Sequence, residues 1–118
     1  MTRKRTKRIQ SDRNRLLHRW SVDLVERHFG FEMDALRADG RGEPERVIAR
    51  QVATYLLTTS TGASHAQAAE VVNRHRSTVG HSIRQVERMR DDPRMDADIR
   101  ALERGVDAIR NVLEAETV

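Results

Sequence analysis

The stretch that decides the fold is SHAQAAEVVNRHRSTVGHSIRQVERMR, residues 64–90. Ser64 is followed three residues later by Gln67, and this spacing is the capping box that starts a helix. The helix is short, because the polar residues 73–76 are typical of a turn. A longer second helix is predicted to begin at Ser77 or just before it. Its apolar positions recur at helical spacing and are Val79, Ile83 and Val86.

A short helix, a tight polar turn and a longer helix form the sequence outline of a helix-turn-helix. The small side chains of Ala68 and Ala69 allow the second helix to approach the first closely. In such motifs the N-terminal end of the second helix meets the base edges, and Arg74 and Arg76 stand there. The face of that helix opposite its apolar positions offers Ser77, Thr78, His81, Ser82 and Arg84, of which Ser77 and Thr78 also lie at the N-terminal end. A plain helical hairpin has a similar pattern, so the pattern alone leaves a bundle without DNA binding open.

The N-terminal part of the chain is predicted to contain one long helix, from about residue 14 to residue 29. Its apolar stripe is Leu17, Trp20, Leu24, Val25 and Phe29. We expect Trp20 to be a core residue and Gly30 to be the C-cap. Residues 31–37 are expected to form a short helical turn, and residues 39–44 a loop.

Two further helices are predicted after this loop. One spans about residues 45–59, and the other begins with Asp92 as N-cap and Pro93 in its first position. The fold class is therefore all-α, a small helical bundle of five or six helices. The residues expected in its core are Val52, Leu56, Val79, Ile83, Val86, Ile99 and Leu102.

The composition limits the classes of protein to be considered. A chain of 118 residues suits one domain with a modest core, and residues 14–118 are expected to form it. The chain lacks cysteine, which excludes disulfides and thiolate metal sites and fits a cytoplasmic protein. It also lacks a long apolar run that could cross a membrane, and its basic N-terminus has no apolar segment typical of a secretory signal.

The positive charge is concentrated in two zones. Residues 1–19 contain eight Lys or Arg and one acidic residue, whereas residues 20–118 contain fourteen basic and seventeen acidic residues. Within that second part, residues 74–90 contain five Arg and one Glu. Residues 1–13 are predicted to be a disordered basic arm, which by itself is also typical of a solvated terminus. Two basic zones on an otherwise acidic chain favour a polyanionic partner such as DNA.

Three sequence blocks resemble the C-terminal DNA-binding domain of the bacterial replication initiator DnaA, a Trp-repressor-like helix-turn-helix. ARQVATYLL (49–57) is similar to the A-R-Q-V-A-M-Y-L helix of that family. NRHRSTVGHSIRQVE (73–87) is similar to its signature G-R-D-H-[ST]-T-V-x-H-A-x-[RK]-K-[IV]-E, and DPRMDADIRALER (92–104) to its D-P-x-x-x-x-D-I-x-x-L ending. The resemblance implies binding of double-stranded DNA. Because the 118 residues contain no phosphate-binding loop and leave no room for the family's ATPase module, we expect the domain to stand without that module.

The chain departs from the family where that family reads bases. The Asp-His pair of the signature corresponds to His75 and Arg76, whereas Thr78 and His81 are retained. The loop that precedes the long helix is basic in the family, whereas here only Arg41 and Arg46 stand ahead of Arg50, with three acidic residues among them, so reading of the minor groove by residues 38–50 is in question. The basic arm at residues 1–13 could replace that loop. We therefore expect a DNA target different from that of the initiator.

The DNA-contacting residues that the charge pattern and the resemblance together imply fall into three groups. The helix-turn-helix contributes Arg74, His75, Arg76, Ser77, Thr78, His81 and Arg84. The loop and the following helix contribute Arg41, Arg46 and Arg50, and the arm contributes Arg3, Lys4, Arg5, Lys7 and Arg8. Arg76 is expected to read a base, and Arg74 to hold a phosphate.

Catalysis is not indicated. The sequence has no phosphate-binding loop of the form G-x-x-x-x-G-K-[ST], and its five histidines lack the spacing of a zinc site. We expect no enzyme activity, cofactor, metal ion, membrane or small-molecule substrate, and either replication control or transcription regulation as the role. A second hypothesis is a derived protein-interaction module, which would act on the replication or transcription machinery without reading bases. The altered base-reading pair motivates it.

Overall fold

A computed structural model describes residues 3–115, and all of its regular structure is helical. The five α-helices are α1 (Arg3–His28), α2 (Pro44–Thr59), α3 (His65–Val71), α4 (Val79–Met89) and α5 (Pro93–Ala115). Short 3₁₀ turns occupy Ala35–Arg37 and Arg76–Thr78. No strand occurs within residues 3–115. The predicted all-α helix-turn-helix fold is thereby confirmed, with α3 and α4 as its two helices.

The capping residues explain why these helices begin and end where they do. Ser64 Oγ accepts a hydrogen bond from Gln67 N at 3.1 Å, and Ser64 N donates to Gln67 Oε1 at 2.9 Å, which confirms the capping box. Asp92 Oδ1 accepts from Arg94 N at 2.9 Å and so caps α5. At the end of α1, Gly30 has a φ of 78°, the left-handed conformation that ends many helices.

Helix α1 begins much earlier than the sequence analysis predicted. The expected disordered arm covered residues 1–13, but residues 3–13 form the first turns of α1, and residues 1–2 lie outside the described part. The physical reason is that Lys and Arg are good helix formers, and neither Gly nor Pro interrupts the run. The helix can therefore propagate backwards from its packed second half.

The main core collects buried side chains from all five α-helices. It comprises Val22, Val25, Leu36, Ala49, Val52, Ala53, Leu56, Leu57, Ala63, Ala68, Val72, Val86, Ile99 and Leu102. A smaller cluster of Leu17, Val106 and Leu113 joins α1 to α5. Trp20, which was expected in the core, is 39% exposed, because Leu17 and Ser21 occupy the positions of that helix that face inwards. The expectation for Trp20 was wrong.

Six of the seven predicted core residues are buried, and the exception lies in α4. Ile83 is only partly buried, whereas Ser82, which was expected on the exposed face, is 8% exposed. Since each residue of a helix turns by about 100°, Ser82 lies about 40° from Val86 and Ile83 about 60° from it on the other side. The inward face of α4 is therefore centred between Val79, Ser82 and Val86.

Candidate nucleic-acid interface

The turn before α4 is held by its own polar side chains. His75 Nδ1 accepts a hydrogen bond from Ser77 N at 3.1 Å and lies 2.8 Å from Ser77 Oγ. Thr78 Oγ1 donates to the carbonyl oxygen of His75 at 2.8 Å. Because a backbone N–H can only donate, His75 Nδ1 must be unprotonated there, and neutral His75 carries its proton on Nε2. Ser77 and His75 therefore shape the start of the recognition helix.

Arg76 stands at this start with its side chain exposed. Among residues 3–115 it forms no side-chain hydrogen bond or ion pair. The N-cap of this turn is His75. Thr78, His81 and Arg84 are also exposed, and with Arg76 they form a polar surface at the N-terminal half of α4. We call Arg76, Thr78, His81 and Arg84 the reading surface.

Arg74, which the sequence analysis expected to hold a phosphate, forms three hydrogen bonds within the protein. Its Nη2 donates to the carbonyl oxygens of Ala38 and Gly40, both at 2.8 Å, and its Nη1 donates to Asn73 O at 2.8 Å. Both protons of Nη2 are therefore engaged by the backbone. In this structure Arg74 ties the loop before α2 to the turn before α4.

Arg50, which was also expected to contact DNA, is largely buried in the structure. The residue is 8% exposed, Nε donates to Leu36 O at 2.9 Å, and Nη1 donates to Arg41 O at 3.2 Å. Burial, together with the charges of Arg74 and Arg46, lowers the pKa of Arg50 to about 10. Two of its guanidinium nitrogens are thus engaged by carbonyl oxygens of the protein, and Arg50 also lines the concave surface that contains Arg41, Arg74 and His75.

The other two predicted arginines near this loop differ from each other. Arg41 is exposed, and its side chain has no hydrogen bond or ion pair within residues 3–115. Arg46 is half-buried, and its Nε lies 3.5 Å from Glu43 Oε2. The acidic residues of this loop therefore neutralise Arg46 but leave Arg41 available to a partner.

The five basic residues of the predicted arm, Arg3, Lys4, Arg5, Lys7 and Arg8, are exposed on the first turns of α1. A concave surface is lined by Lys7 and Arg15 of α1, by Gln67 and Glu70 of α3, and by Arg37. Arg37 also lines the neighbouring concavity that contains Arg41, Arg74 and His75. The basic half of α1 is thus continuous, through Arg37, with the helix-turn-helix.

Two residues of this surface were missed by the sequence analysis. Arg37 gave no signal, because it lies in an irregular segment between helices. Asn73 has a φ of 56°, and asparagine is among the residues that adopt this left-handed conformation most readily. Its place in a polar turn could have suggested that conformation, but its side-chain partner lies 36 residues away in the sequence.

Comparison with known proteins points to one family. The family model described as the bacterial DnaA protein helix-turn-helix matches residues 22–86. One curated relative, the chromosomal replication initiator protein DnaA of Deinococcus radiodurans, is 34% identical over 79 residues. These residues make up 66% of this chain but only 17% of the relative. No solved structure matches the chain. No helix within residues 3–115 is long and apolar enough to cross a membrane.

Proposed function

Because this chain belongs to the bacterial DnaA helix-turn-helix family, we propose that it binds double-stranded DNA with sequence preference and without catalysis. The family supports DNA binding by a helix-turn-helix domain. The preference for particular sequences, and the residues that produce it, are our proposal. Its biological setting would be a bacterial chromosome in the cytoplasm, in the control of replication or of transcription.

The observation that carries the proposal is the guanidinium of Arg76 at the N-terminal end of α4, which has no partner within residues 3–115. A recognition helix presents this end to the base edges of the major groove. An arginine there can donate two hydrogen bonds to guanine O6 and N7, and such a pair supplies about 1–3 kcal/mol of discrimination. His75 holds the turn through Nδ1, which leaves the Nε2 proton available to a phosphate or a base.

The N-terminal half of α1 would add affinity that does not depend on sequence. Lys4, Lys7 and Arg8 are exposed on this helix, and each phosphate that such a residue neutralises releases counterions. Since α1 continues into the concave surface beside α3, a duplex that lies on the reading surface could extend along it. A helical arm of this kind suits phosphate contacts better than insertion into a minor groove.

The test of base reading is a binding-site selection from random duplexes with the wild-type protein and with Arg76→Ala. We expect a shared motif from the wild type and the loss of one base-pair preference from the variant. Arg88→Ala is the matched control, because Arg88 is also exposed and lies at the far end of α4. Identical motifs from wild type and Arg76→Ala would exclude base reading by Arg76, and recovery of no motif from the wild type would favour the protein-interaction alternative.

The test of the helical arm is the salt dependence of binding to one duplex. The triple variant Lys4→Gln, Lys7→Gln and Arg8→Gln keeps helix-forming residues but removes three charges. If all three residues contact phosphate, the slope of log K against log salt concentration should become shallower by about 3. A change in the selected sequence motif, rather than in the slope, would show that the arm reads a groove.

The choice between replication and transcription needs a measurement in cells. Immunoprecipitation of the tagged protein, followed by sequencing of the recovered DNA, gives the positions of its sites on the chromosome. Sites clustered at the replication origin would indicate replication control, whereas sites at promoters would indicate transcription regulation. Diffuse recovery without a shared motif would contradict sequence preference.

A further inference from the structure

The segment before α2 is fastened to the helix-turn-helix and to α2 through its backbone carbonyl groups. Five carbonyl oxygens of residues 36–41 accept hydrogen bonds from only three side chains, Arg50, Asn73 and Arg74. We call residues 36–41 the latched loop. Leu36, the first residue of this loop, is also buried in the main core, which contains Ala68 and Val72 as well, so the hydrogen bonds matter most for the position of residues 37–41.

Asn73 is the first part of this latch. Its Nδ2 donates to Arg37 O at 2.9 Å and lies 3.5 Å from Asp39 Oδ1. The residue itself is anchored to α3, because Asn73 N donates to Glu70 O at 3.2 Å and the next amide, of Arg74, donates to Ala69 O at 2.9 Å. The position of the Arg37 backbone is therefore set directly by the turn between α3 and α4.

Arg74 is the second part. One guanidinium nitrogen, Nη2, bridges the carbonyl oxygens of Ala38 and Gly40. Gly40 has a φ of 83°, a conformation in which glycine is favoured, and a free loop that contains it would sample many conformations. The planar guanidinium supplies two donors in a fixed direction, which a lysine cannot reproduce.

The latched loop carries two exposed arginines, Arg37 and Arg41, whose side chains line the same concave surface as His75. We propose that Asn73 and Arg74 are positioning residues, which hold Arg37 and Arg41 against the DNA backbone beside the reading surface. This inference rests on the proposed function. A loop that is ordered before binding loses less conformational freedom when it meets its partner, so the latch would raise affinity without touching DNA.

The test is a double-mutant cycle between Asn73 and Arg37 on a fixed duplex. Asn73→Gly removes the side-chain donor but still accepts the left-handed backbone. We expect Arg37→Ala to reduce the salt slope by about 1 in the wild-type background, as for the loss of one phosphate contact. In the Asn73→Gly background the same substitution should change affinity and slope by less than half as much. Additive effects would overturn the proposal.

A second variant separates positioning from direct phosphate contact at Arg74. Arg74→Lys keeps the positive charge but cannot bridge two carbonyl oxygens. If Arg74 positions the loop, Arg74→Lys should weaken binding as much as Arg74→Ala and should reduce the effect of Arg41→Ala. If lysine restores full affinity, Arg74 acts by charge alone and the latch is wrong.

Hydrogen exchange of the free protein tests the hydrogen bonds of the latched loop independently of DNA binding. In Asn73→Gly the amide of Ala38 should exchange about fivefold faster, the effect of losing one typical hydrogen bond nearby. Amides in the middle of α2 should be unchanged and report that the fold is intact. Unchanged exchange at Ala38 would overturn the latch even if DNA binds. A wild-type protein that binds no duplex would instead overturn the proposed function, and with it the role of Arg37 and Arg41.

Discussion

The two ends of helix α4 use the same side chain in opposite ways. At the start, Arg76 is exposed and has no side-chain partner within residues 3–115. At the end, Arg90 donates to Asp96 at 2.6 Å and, through both terminal nitrogens, to Glu103 at 3.1 Å. Arg90 also donates to the hydroxyl oxygen of Tyr55 at 3.2 Å. The end of α4 is thereby joined to α2 and α5, while its start is left open to a partner.

This difference teaches that the role of an arginine depends on what surrounds it rather than on its place in a basic segment. Residues 74–90 look uniformly basic in the sequence, yet Arg90 is balanced by two carboxylates. Its hydrogen bonds to Glu103 and Asp96 raise the pKa of Arg90 above its ordinary value. Because the end of α4 is held in place and its start is exposed, this helix is suited to present its first residues to a partner at a fixed angle.

The largest effect should come from the buried face of α4, and it compares Val86 with Ile83. Val86 is fully buried, so Val86→Ala should reduce the free energy of unfolding by about 2–3 kcal/mol, from lost burial and a new cavity. Ile83 is only partly buried, and Ile83→Ala should cost about 1 kcal/mol although it removes a larger group. Chemical denaturation of both variants measures this. An Ile83→Ala cost equal to that of Val86→Ala would contradict the partial burial of Ile83.

The next effect concerns the ion pairs of Arg90 with Asp96 and Glu103 at the end of α4, which we call the brace. Arg90 and its partners Asp96 and Glu103 have side chains 20%, 24% and 32% exposed. Arg90→Ala should therefore cost about 1–2 kcal/mol of stability, between the values for exposed and buried ion pairs. Arg88→Ala, on the exposed face of the same turn, should cost almost nothing.

Substitutions at the two ends of α4 should also differ in their effect on the DNA sequence that the protein selects. At a temperature where Arg90→Ala is fully folded, a binding-site selection should return the wild-type motif, whereas Arg76→Ala should not. If Arg90→Ala changed the motif while the fold was intact, the end of the helix would take part in base reading. The hypothesis that the start of α4 reads bases while its end only stabilises the fold would then be wrong.

The order of the helices could be predicted from the sequence, because apolar spacing, the Ser64 capping box and the Asp92-Pro93 pair are local signals. The hydrogen-bond partners of the individual arginines could not be predicted from the sequence. Arg50 and Arg74 are engaged by carbonyl oxygens of a loop that is distant in sequence, and no local pattern encodes those contacts. The sequence analysis placed Ile83 in the core and Ser82 on the exposed face, but Ser82 is the more buried of the two. Both residues lie near the edge of the buried face of α4, where a small rotation of the helix decides which side chain is buried.

Acid should weaken the ion pairs that hold the end of α4. The hydrogen bond from Arg90 holds the pKa of Asp96 below its usual value, and the charge of Arg100 lowers it further. A lowered folded pKa gives stability that is present above the unfolded pKa and is lost as the pH falls through the folded pKa. Unfolding curves between neutral and acidic pH should therefore show a smaller acid loss in Asp96→Asn than in the wild type. Equal losses would show that Asp96 does not stabilise the fold by this ion pair.

The smallest effect should come from Gly80, near the open start of α4. Its φ is that of an ordinary helix residue, and an added Cβ would meet only Arg84 Nη1, at 3.4 Å. Alanine is a better helix former, so Gly80→Ala should raise the free energy of unfolding by about 0.5–1 kcal/mol. The same methyl group would stand beside Arg84 on the reading surface, where a duplex is proposed to approach. We therefore expect Gly80→Ala to be more stable but to bind its selected duplex more weakly, as measured by denaturation and by titration. Gain of stability with unchanged affinity would show that this side of α4 does not face DNA, and would leave Arg76 and Thr78 as the closest contacts.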